Sequence, residues 1–425
     1  MLRLLRPKSD FYRHVLTLMS GTVLAQAIPI LLSPVLSRLY SPAEFGVFAM
    51  FTAIGAAVAV AATLRFELAI MLPETETAAI NLLRLSFTIT ILLSLLLLGF
   101  ILLFHQQLPL WLSTPELGSF QFYLPLLLLC AGGSQALNYW ISRQKKFRLL
   151  AAGKVGQTGT AGVLSLLLGY CHFSSAGLII SAVAGQGAAL TIYMAGSLKK
   201  ILRLESWISR EKIIENLRTY KSFALVNTPH ALLGVLQDIL VIFLLNHFFS
   251  KTIVGSYAFG FRILKVPAAF IGAAMFQVYF QKASTLKHET EKLKTLTRNV
   301  YLQMSVVGIP LFGLLLLFAP SLFALVFGNE WRHAGEIARV LSPWLLLNFI
   351  CSPVAAIAVV LNRQQSAIWF AVADTLLRFA AITIGGWAGN EQLSFLLLSA
   401  GSGSLLLYSL YWFYHLPGKS LSKGY

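Results

Sequence analysis

Aspartate occurs only three times in this chain, at Asp10, Asp238 and Asp374, and cysteine only three times, at Cys130, Cys171 and Cys351. None of the cysteines has CxxC or Cys/His spacing, so neither a zinc site nor a disulfide framework is indicated. They read as small apolar residues buried in or beside apolar runs. No GxxxxGK[ST], DxD or HExxH pattern occurs, which removes a phosphate loop for ATP and two common signatures of metal-dependent chemistry. Charge is scarce as well. Charged residues make up 12% of the 425 positions against 57% hydrophobic, and the mean hydropathy is +0.74. A soluble protein of this length has no use for so much apolar surface.

What is present is a series of apolar windows, each about 20 residues long and so long enough to cross a bilayer as a helix. Helices are the default there, because backbone groups in lipid must pair within their own segment. The sequence divides into about twelve such spans: 14–36, 44–70, 84–105, 120–141, 150–170, 175–197, 221–247, 252–280, 299–326, 336–361, 366–388 and 392–415. The first is too long for a cleaved signal peptide and is expected to stay as a membrane helix. The expected fold class is therefore an all-α integral membrane protein.

The formal charge of +17 is concentrated in alternate connections between spans. Arg3, Arg6, Lys8 and Arg13 precede the first span. Arg143, Lys145, Lys146, Arg148 and Lys154 follow the fourth. Lys199 to Lys221 carries seven cations, and Lys282 to Arg298 five. The other connections are short and hold Arg38, Lys251, Arg332 and Arg339. Positive loops stay in the cytoplasm, which places both termini on that side. Membrane lipid, rather than nucleic acid, is the partner this charge implies.

The chain also resembles itself. Gly46-Val-Phe48-Ala49 opens the second span and Gly255-Ser-Tyr257-Ala258 the eighth, while Arg143-Gln144 and Arg363-Gln364 follow the fourth and tenth. Two parallel six-helix halves are expected, 1–206 and 207–425, joined by an amphipathic surface segment at Leu204 to Leu217. Prolines fall at corresponding places: Pro29 and Pro34 with Pro229, and Pro125 with Pro343 and Pro353. Interrupted spans at matching positions point to a central site, although prolines also serve packing alone.

Ionisable residues inside spans are costly, about 2.5–3.5 kcal/mol each on insertion scales, and so face a cavity or a partner. Arg262 and Lys265 share one face of the eighth span at i,i+3, followed by Pro267. A guanidinium and an ammonium together suit phosphate oxygens; a buried ion pair with Asp238 is the alternative. Arg65 and Glu67 are two apart on the second span, a spacing that on a helix makes no local salt bridge. Asp374 and Arg378 are i,i+4, which suits a structural pair. Asp238, Asp374 and Glu67 are the candidates for proton or sodium coupling, with no other cofactor and no metal expected. Arg38 is either an exit-side phosphate contact or an interfacial anchor. His230, Gln237 and Asn227 add polarity to the seventh span.

Several stretches resemble Wzx-type oligosaccharide flippases. They are Ser37-Arg38-Leu39-Tyr40-Ser41-Pro42-Ala43-Glu44-Phe45-Gly46-Val47-Phe48, Thr63 to Ile70, Gly255 to Pro267 continuing to Phe280, and Trp331 to Glu336 with Leu341-Ser-Pro343-Trp344. The resemblance covers essentially the whole chain. It implies the multidrug/oligosaccharidyl-lipid/polysaccharide exporter fold, two six-helix bundles around a central cavity. It also implies translocation of undecaprenyl-pyrophosphate-linked O-antigen or similar units across the bacterial inner membrane, in company with other polysaccharide-assembly proteins. By matching position it points to Arg65 and Arg262 as substrate contacts, while Lys265 departs from the small or polar residue usual there. The rival readings are a cation-coupled multidrug exporter of the same superfamily and a membrane-embedded polysaccharide polymerase or ligase. The first would need acidic cavity groups and the second a large periplasmic catalytic loop. The sequence offers more cations than anions, and its longest polar loops are cytoplasmic.

Overall fold

The computed structural model describes residues 10–111, 115–203, 210–361 and 363–421, and among these there is no strand. Six long helices occupy the first half: α1 (Asp10–Leu39), α2 (Pro42–Ala61), α3 (Glu76–Phe104), α4 (Tyr123–Arg143), α5 (Phe147–Tyr170) and α6 (Ser174–Arg203). Six more follow: α7 (Thr228–Phe248), α8 (Lys251–Thr285), α9 (Thr290–Phe327), α10 (Arg332–Val354), α11 (Gln364–Trp387) and α12 (Glu391–Leu421). Nine of the helices among the described residues are long and apolar enough to cross a membrane. The number becomes ten if the two arms of α8, Lys251–Lys265 and Phe270–Thr285, bent by 45°, form one span. Pro267 lies in that bend and has no N–H for the helix ladder. The expected twelve is thus not reached by this measure. The two helices that fall short are α4 and α5, whose apolar runs are diluted by Ser134, Gln135 and Asn138 on one and Lys154 and Gln157 on the other.

The boundaries have local chemical causes. Ser41-Pro42-Ala43-Glu44 is a capping box with proline at the first helical position. The Ser41 N–H donates to Glu44 Oε2 at 2.7 Å and the Glu44 N–H to Ser41 Oγ at 3.4 Å. Thr75 and Ser250 cap α3 and α8 by accepting from the Ala78 and Ile253 N–H groups. The chain enters α7 through a π-helical turn at Phe223–Asn227, immediately before Thr228-Pro229. Proline at that place leaves the preceding ladder one donor short, and the Thr228 hydroxyl donates to the Phe223 carbonyl at 3.2 Å. The expected single helix over 44–70 does not form. α2 stops at Ala61, Leu64 and Arg65 take left-handed backbone (φ 47° and 62°), and a short helix resumes at Phe66–Ala69.

The chain divides into two compact units. Unit 1 comprises Met1–Tyr40 with Val47–Ile239, and unit 2 comprises Ser41–Gly46 with Leu240–Tyr425. The division therefore falls inside α7, whereas the expected break at 206/207 lies outside the described residues; of the expected connecting segment, the helix Arg210–Thr219 is described. In unit 1, α3 packs on α4, α4 on α6, α5 on α6, and α1 on α5. In unit 2, α9 packs on α10, α10 on α12, and α11 on α12. Three pairings thus recur six helices later in the same direction, the tertiary form of the sequence repeat.

The core of unit 1 gathers around Trp140 and Phe66, each about 1% exposed, with Ile80, Leu83 and Leu137. Arg143, at the end of α4, closes it from one end. Its guanidinium donates to the carbonyls of Ile70 and Met71 at 3.2 Å and of Pro73 at 2.5 Å, with Glu74 and Thr75 slightly farther. Arg143 thus satisfies the backbone of the turn into α3, a structural task beyond its place in a positive loop. Cys130 and Cys351 are buried, but Cys171 is exposed at the end of α5, contrary to the expectation for all three.

Unit 2 contains an unusually close backbone crossing. A Cβ on Gly255 would lie 1.7 Å from the Pro42 carbonyl oxygen and 2.7 Å from the Gly46 nitrogen. A Cβ on Gly46 would lie 2.0 Å from the Lys251 oxygen. The two repeated Gly-x-aromatic-Ala motifs therefore meet glycine against glycine, which lets helices approach without intervening side chains. Beside the crossing, Phe45, Phe259, Phe327 and Trp331 form a buried aromatic cluster, with Phe259 and Trp331 4.1 Å apart and Phe45 edge-on to both.

Elsewhere the surface is inverted relative to a soluble protein. Leu31, Leu103, Leu325 and Trp387 are 74–79% exposed. Apolar area on that scale in water marks an interaction or aggregation site. Here it runs along helices of membrane-crossing length, and lipid is the solvent that accepts it.

Candidate functional site

The left-handed break after α2 places the first group of polar side chains. With Leu64 and Arg65 out of helical geometry, two residues that would point apart on a helix come together. Arg65 Nη1 lies 3.4 Å from Glu67 Oε1, and the Thr63 hydroxyl bonds the other carboxylate oxygen. The expectation that Arg65 and Glu67 do not pair is corrected by this turn. Glu67 is fully buried, while the Arg65 side chain keeps 24% of its surface exposed and its buried Nε has no partner. Tyr139 of α4 lies within electrostatic reach of both charges.

Tyr139 also forms part of the wall of a cavity of about 370 Å³ inside unit 1. α4 contributes Ser134, Gln135, Asn138 and Tyr139, α5 contributes Lys154 and Gln157, and α6 contributes Gln186 and Tyr193. Lys154 is therefore not a loop cation but a helical residue two turns into α5, held by the Thr22 hydroxyl of α1 at 3.1 Å. Gln157 and Gln186 are hydrogen-bonded to each other, Nε2 to Oε1. Tyr193 donates to the Leu150 carbonyl at 3.2 Å. Among the described residues no carboxylate lines the cavity. The sequence reading missed this group, although the signal was there. Gln135 and Asn138, like Lys154 and Gln157, are polar pairs at i,i+3 inside otherwise apolar helices.

In unit 2 the expected cations fall on one helix. Arg262 and Lys265 are both exposed, and they occupy the twelfth and fifteenth positions of the 35-residue α8. Arg262 has neither an ion pair nor a hydrogen bond among the described residues. The Lys265 ammonium lies 5.0 Å from the centre of the Phe261 ring, within cation–π range. Phe261 stacks in parallel on the buried Trp344 of α10 at 5.8 Å, and the Arg378 guanidinium sits 4.7 Å from Trp344. Arg378 in turn holds Asp374 at 2.6 Å, with side chains 10% and 20% exposed. A ladder of charges and rings thus runs Lys265, Phe261, Trp344, Arg378, Asp374. Trp344 was read only as part of a motif, and its place between two cations could not be seen from spacing.

The other expected residues belong to unit 1. Arg38 is exposed at the last turn of α1. Asp238 and His230 are exposed on α7, and Gln237 is half-buried there.

The arrangement offers an exposed guanidinium, uncompensated among the described residues, on the same helix as an exposed ammonium and suited to an anion such as a diphosphate, and a separate pocket lined by amides. Two carboxylates, Glu67 and Asp374, already hold cations.

Comparison with known proteins fits this picture. A model of polysaccharide biosynthesis proteins matches residues 35–336. Lipopolysaccharide biosynthesis protein WzxC of Escherichia coli (strain K12) is 25% identical over 284 residues. That match takes in 65% of this chain and 55% of WzxC, so the chain spans little more than half the length of this curated relative. Among solved structures, a multidrug resistance transporter of the MATE family in the MOP superfamily aligns with a TM-score of 0.72 at 15% identity. The alignment covers 95% of this chain and all of the other. A MOP superfamily transporter from Pyrococcus furiosus aligns at 0.62 and 15% identity, covering 97% of each chain. At such identity these likenesses establish the fold.

Proposed function

The chain belongs to the polysaccharide biosynthesis protein family, and from that membership we propose that it is a flippase for lipid-linked oligosaccharides. In this reading it moves undecaprenyl-pyrophosphate-linked repeat units, O-antigen or similar, across the bacterial inner membrane by alternating access. Both termini lie in the cytoplasm, and no bond of the substrate is made or broken.

The observation that carries the reading is Arg262. Burying a cation within a membrane-crossing helix is costly, and a structural cation is normally neutralised there. Arg262 instead stays exposed with no ion pair among the described residues, one turn from Lys265. The pair presents forked and single-point donors to a diphosphate, while the polyprenyl tail remains in lipid. Arg65, half compensated by Glu67, acts as an auxiliary contact, and Arg38 meets the departing headgroup. Coupling by a proton or sodium ion would use Asp238, Asp374 or Glu67. At Asp374 and Glu67 the ion would compete with an arginine already in place.

A cation-coupled drug exporter shares the fold but binds its cargo through acidic groups. The cavity of unit 1 has a lysine and amides and no acid on its wall, which favours the glycan reading.

Replacing Arg262 with alanine in the host strain should abolish surface polysaccharide while leaving the amount of protein in the membrane unchanged. Normal polysaccharide with the variant would take Arg262 out of the mechanism. Fluorescent lipid-linked glycan in proteoliposomes distinguishes a flippase from a polymerase or ligase, since a flippase returns it chemically unaltered.

A further inference from the structure

We propose that the open pocket lined by α2, α4, α5 and α6 of unit 1 is a sugar subsite, which takes one ring of the glycan through its hydroxyl groups. This rests on the flippase reading and adds to it a place where the carbohydrate, as distinct from the diphosphate, is recognised.

The argument starts from the cost of its lining. Neutral polar side chains inside lipid-spanning helices are expensive unless their hydrogen bonds are met. Here Gln135, Asn138, Gln157 and Gln186 all line one pocket, and their helices include the two long ones that fall short of membrane-crossing apolarity. Packing alone would be served better by leucine at each position.

The kind of polarity then selects the ligand. A carboxamide both donates and accepts, as a sugar hydroxyl does. The bond from Gln157 Nε2 to Gln186 Oε1 fixes the two amides against each other and leaves the Gln157 oxygen and the Gln186 N–H groups for a third partner. A phosphate would call for several cations, yet among the described residues the wall has only Lys154, already bonded to Thr22. A cationic ligand would call for an acid, and the wall has none. Tyr139 and Tyr193 add aromatic rings, which suit the apolar C–H face of a pyranose.

Size agrees. A void of about 370 Å³ stands near the lower end of small-molecule pockets, which run from about 300 to 1,000 Å³. That is room for one sugar ring, with the open side left to the rest of the glycan.

The test uses the full-length protein in lipid nanodiscs and two probes: undecaprenyl diphosphate, and the lipid-linked glycan that accumulates in the host's flippase-deletion strain. The wild-type chain should bind the glycosylated lipid about tenfold more tightly than the bare one. Gln157→Leu with Gln186→Leu should remove that preference while affinity for bare undecaprenyl diphosphate stays within twofold. Should the double variant fail to fold, Ala131→Phe, which occupies the pocket while keeping every amide side chain, should give the same loss. Equal binding of the two lipids by the wild type, or a tenfold preference kept by folded variants, overturns the subsite alone. Binding of neither lipid overturns the flippase reading and this inference with it.

Discussion

The crossing of α2 and α8 allows a sharp test of how the fold is held. Gly255→Ala adds one methyl group. Ordinary van der Waals contact begins near 3.4 Å, and the new Cβ would stand 1.7 Å from the Pro42 oxygen, so the two backbones must part by about 1.7 Å. No side chain can give way, because the obstructing atoms are the Pro42 carbonyl and the Gly46 nitrogen. Separation at that point also loosens the edge-on contacts of Phe45 with Phe259 and Trp331. Overpacking typically costs 1–3 kcal/mol, and with backbone on both sides the upper end, about 3 kcal/mol, applies. Thermal unfolding of the detergent-purified protein, followed by its tryptophan fluorescence, measures this directly. Gly99→Ala is the control, since nothing lies within 4 Å of a Cβ there and alanine in a helix interior stabilises by about 0.5–1 kcal/mol. Gly46→Ala should behave as Gly255→Ala does, with a midpoint well below that of the control. If Gly255→Ala melts with or above Gly99→Ala, the helices are not in backbone contact and the reasoning fails.

Further predictions follow from the polar groups. Arg143→Met keeps the aliphatic stem but loses the bonds to the carbonyls of Ile70, Met71 and Pro73. It should destabilise by about 2 kcal/mol and raise protease cleavage between Pro73 and Thr75, and an unchanged digestion pattern would argue against the capping role. Asp374→Asn leaves the mostly buried Arg378 uncompensated and should cost about 3 kcal/mol, whereas Asp374→Asn with Arg378→Gln should recover most of the loss. Additive melting shifts in that double-mutant cycle would show that the two charges do not interact. Arg262→Lys should retain part of the surface polysaccharide that Arg262→Ala abolishes, because a point charge replaces a fork. Complete loss with lysine would mean that the planar geometry is required.

The membrane class, the helical fold and most helix positions were legible in the sequence, because a bilayer imposes its thickness and its backbone rule on every crossing segment. The repeat was legible too, through Gly46-Val-Phe48-Ala49 and Gly255-Ser-Tyr257-Ala258. So were the cations of α8, since Arg262 and Lys265 violate the apolar rule where they stand, and so was the i,i+4 relation of Asp374 and Arg378. These are local constraints, set by composition and spacing within a single helix.

Tertiary structure alone decided the rest. The Arg65–Glu67 pair depends on two left-handed residues that no helical periodicity foretells. The cavity needs amides from three helices to face one space, and a sequence gives the polarity of each without saying what it faces. Lys154 looked like a topological charge until it was seen to line the cavity and to bond Thr22 of α1. That the two repeated glycines touch each other, and that Trp344 lies between a stacked ring and a guanidinium, are facts of packing between segments far apart in the chain. Hydropathy fixes which residues leave water; only the close packing of helix against helix fixes which of them meet.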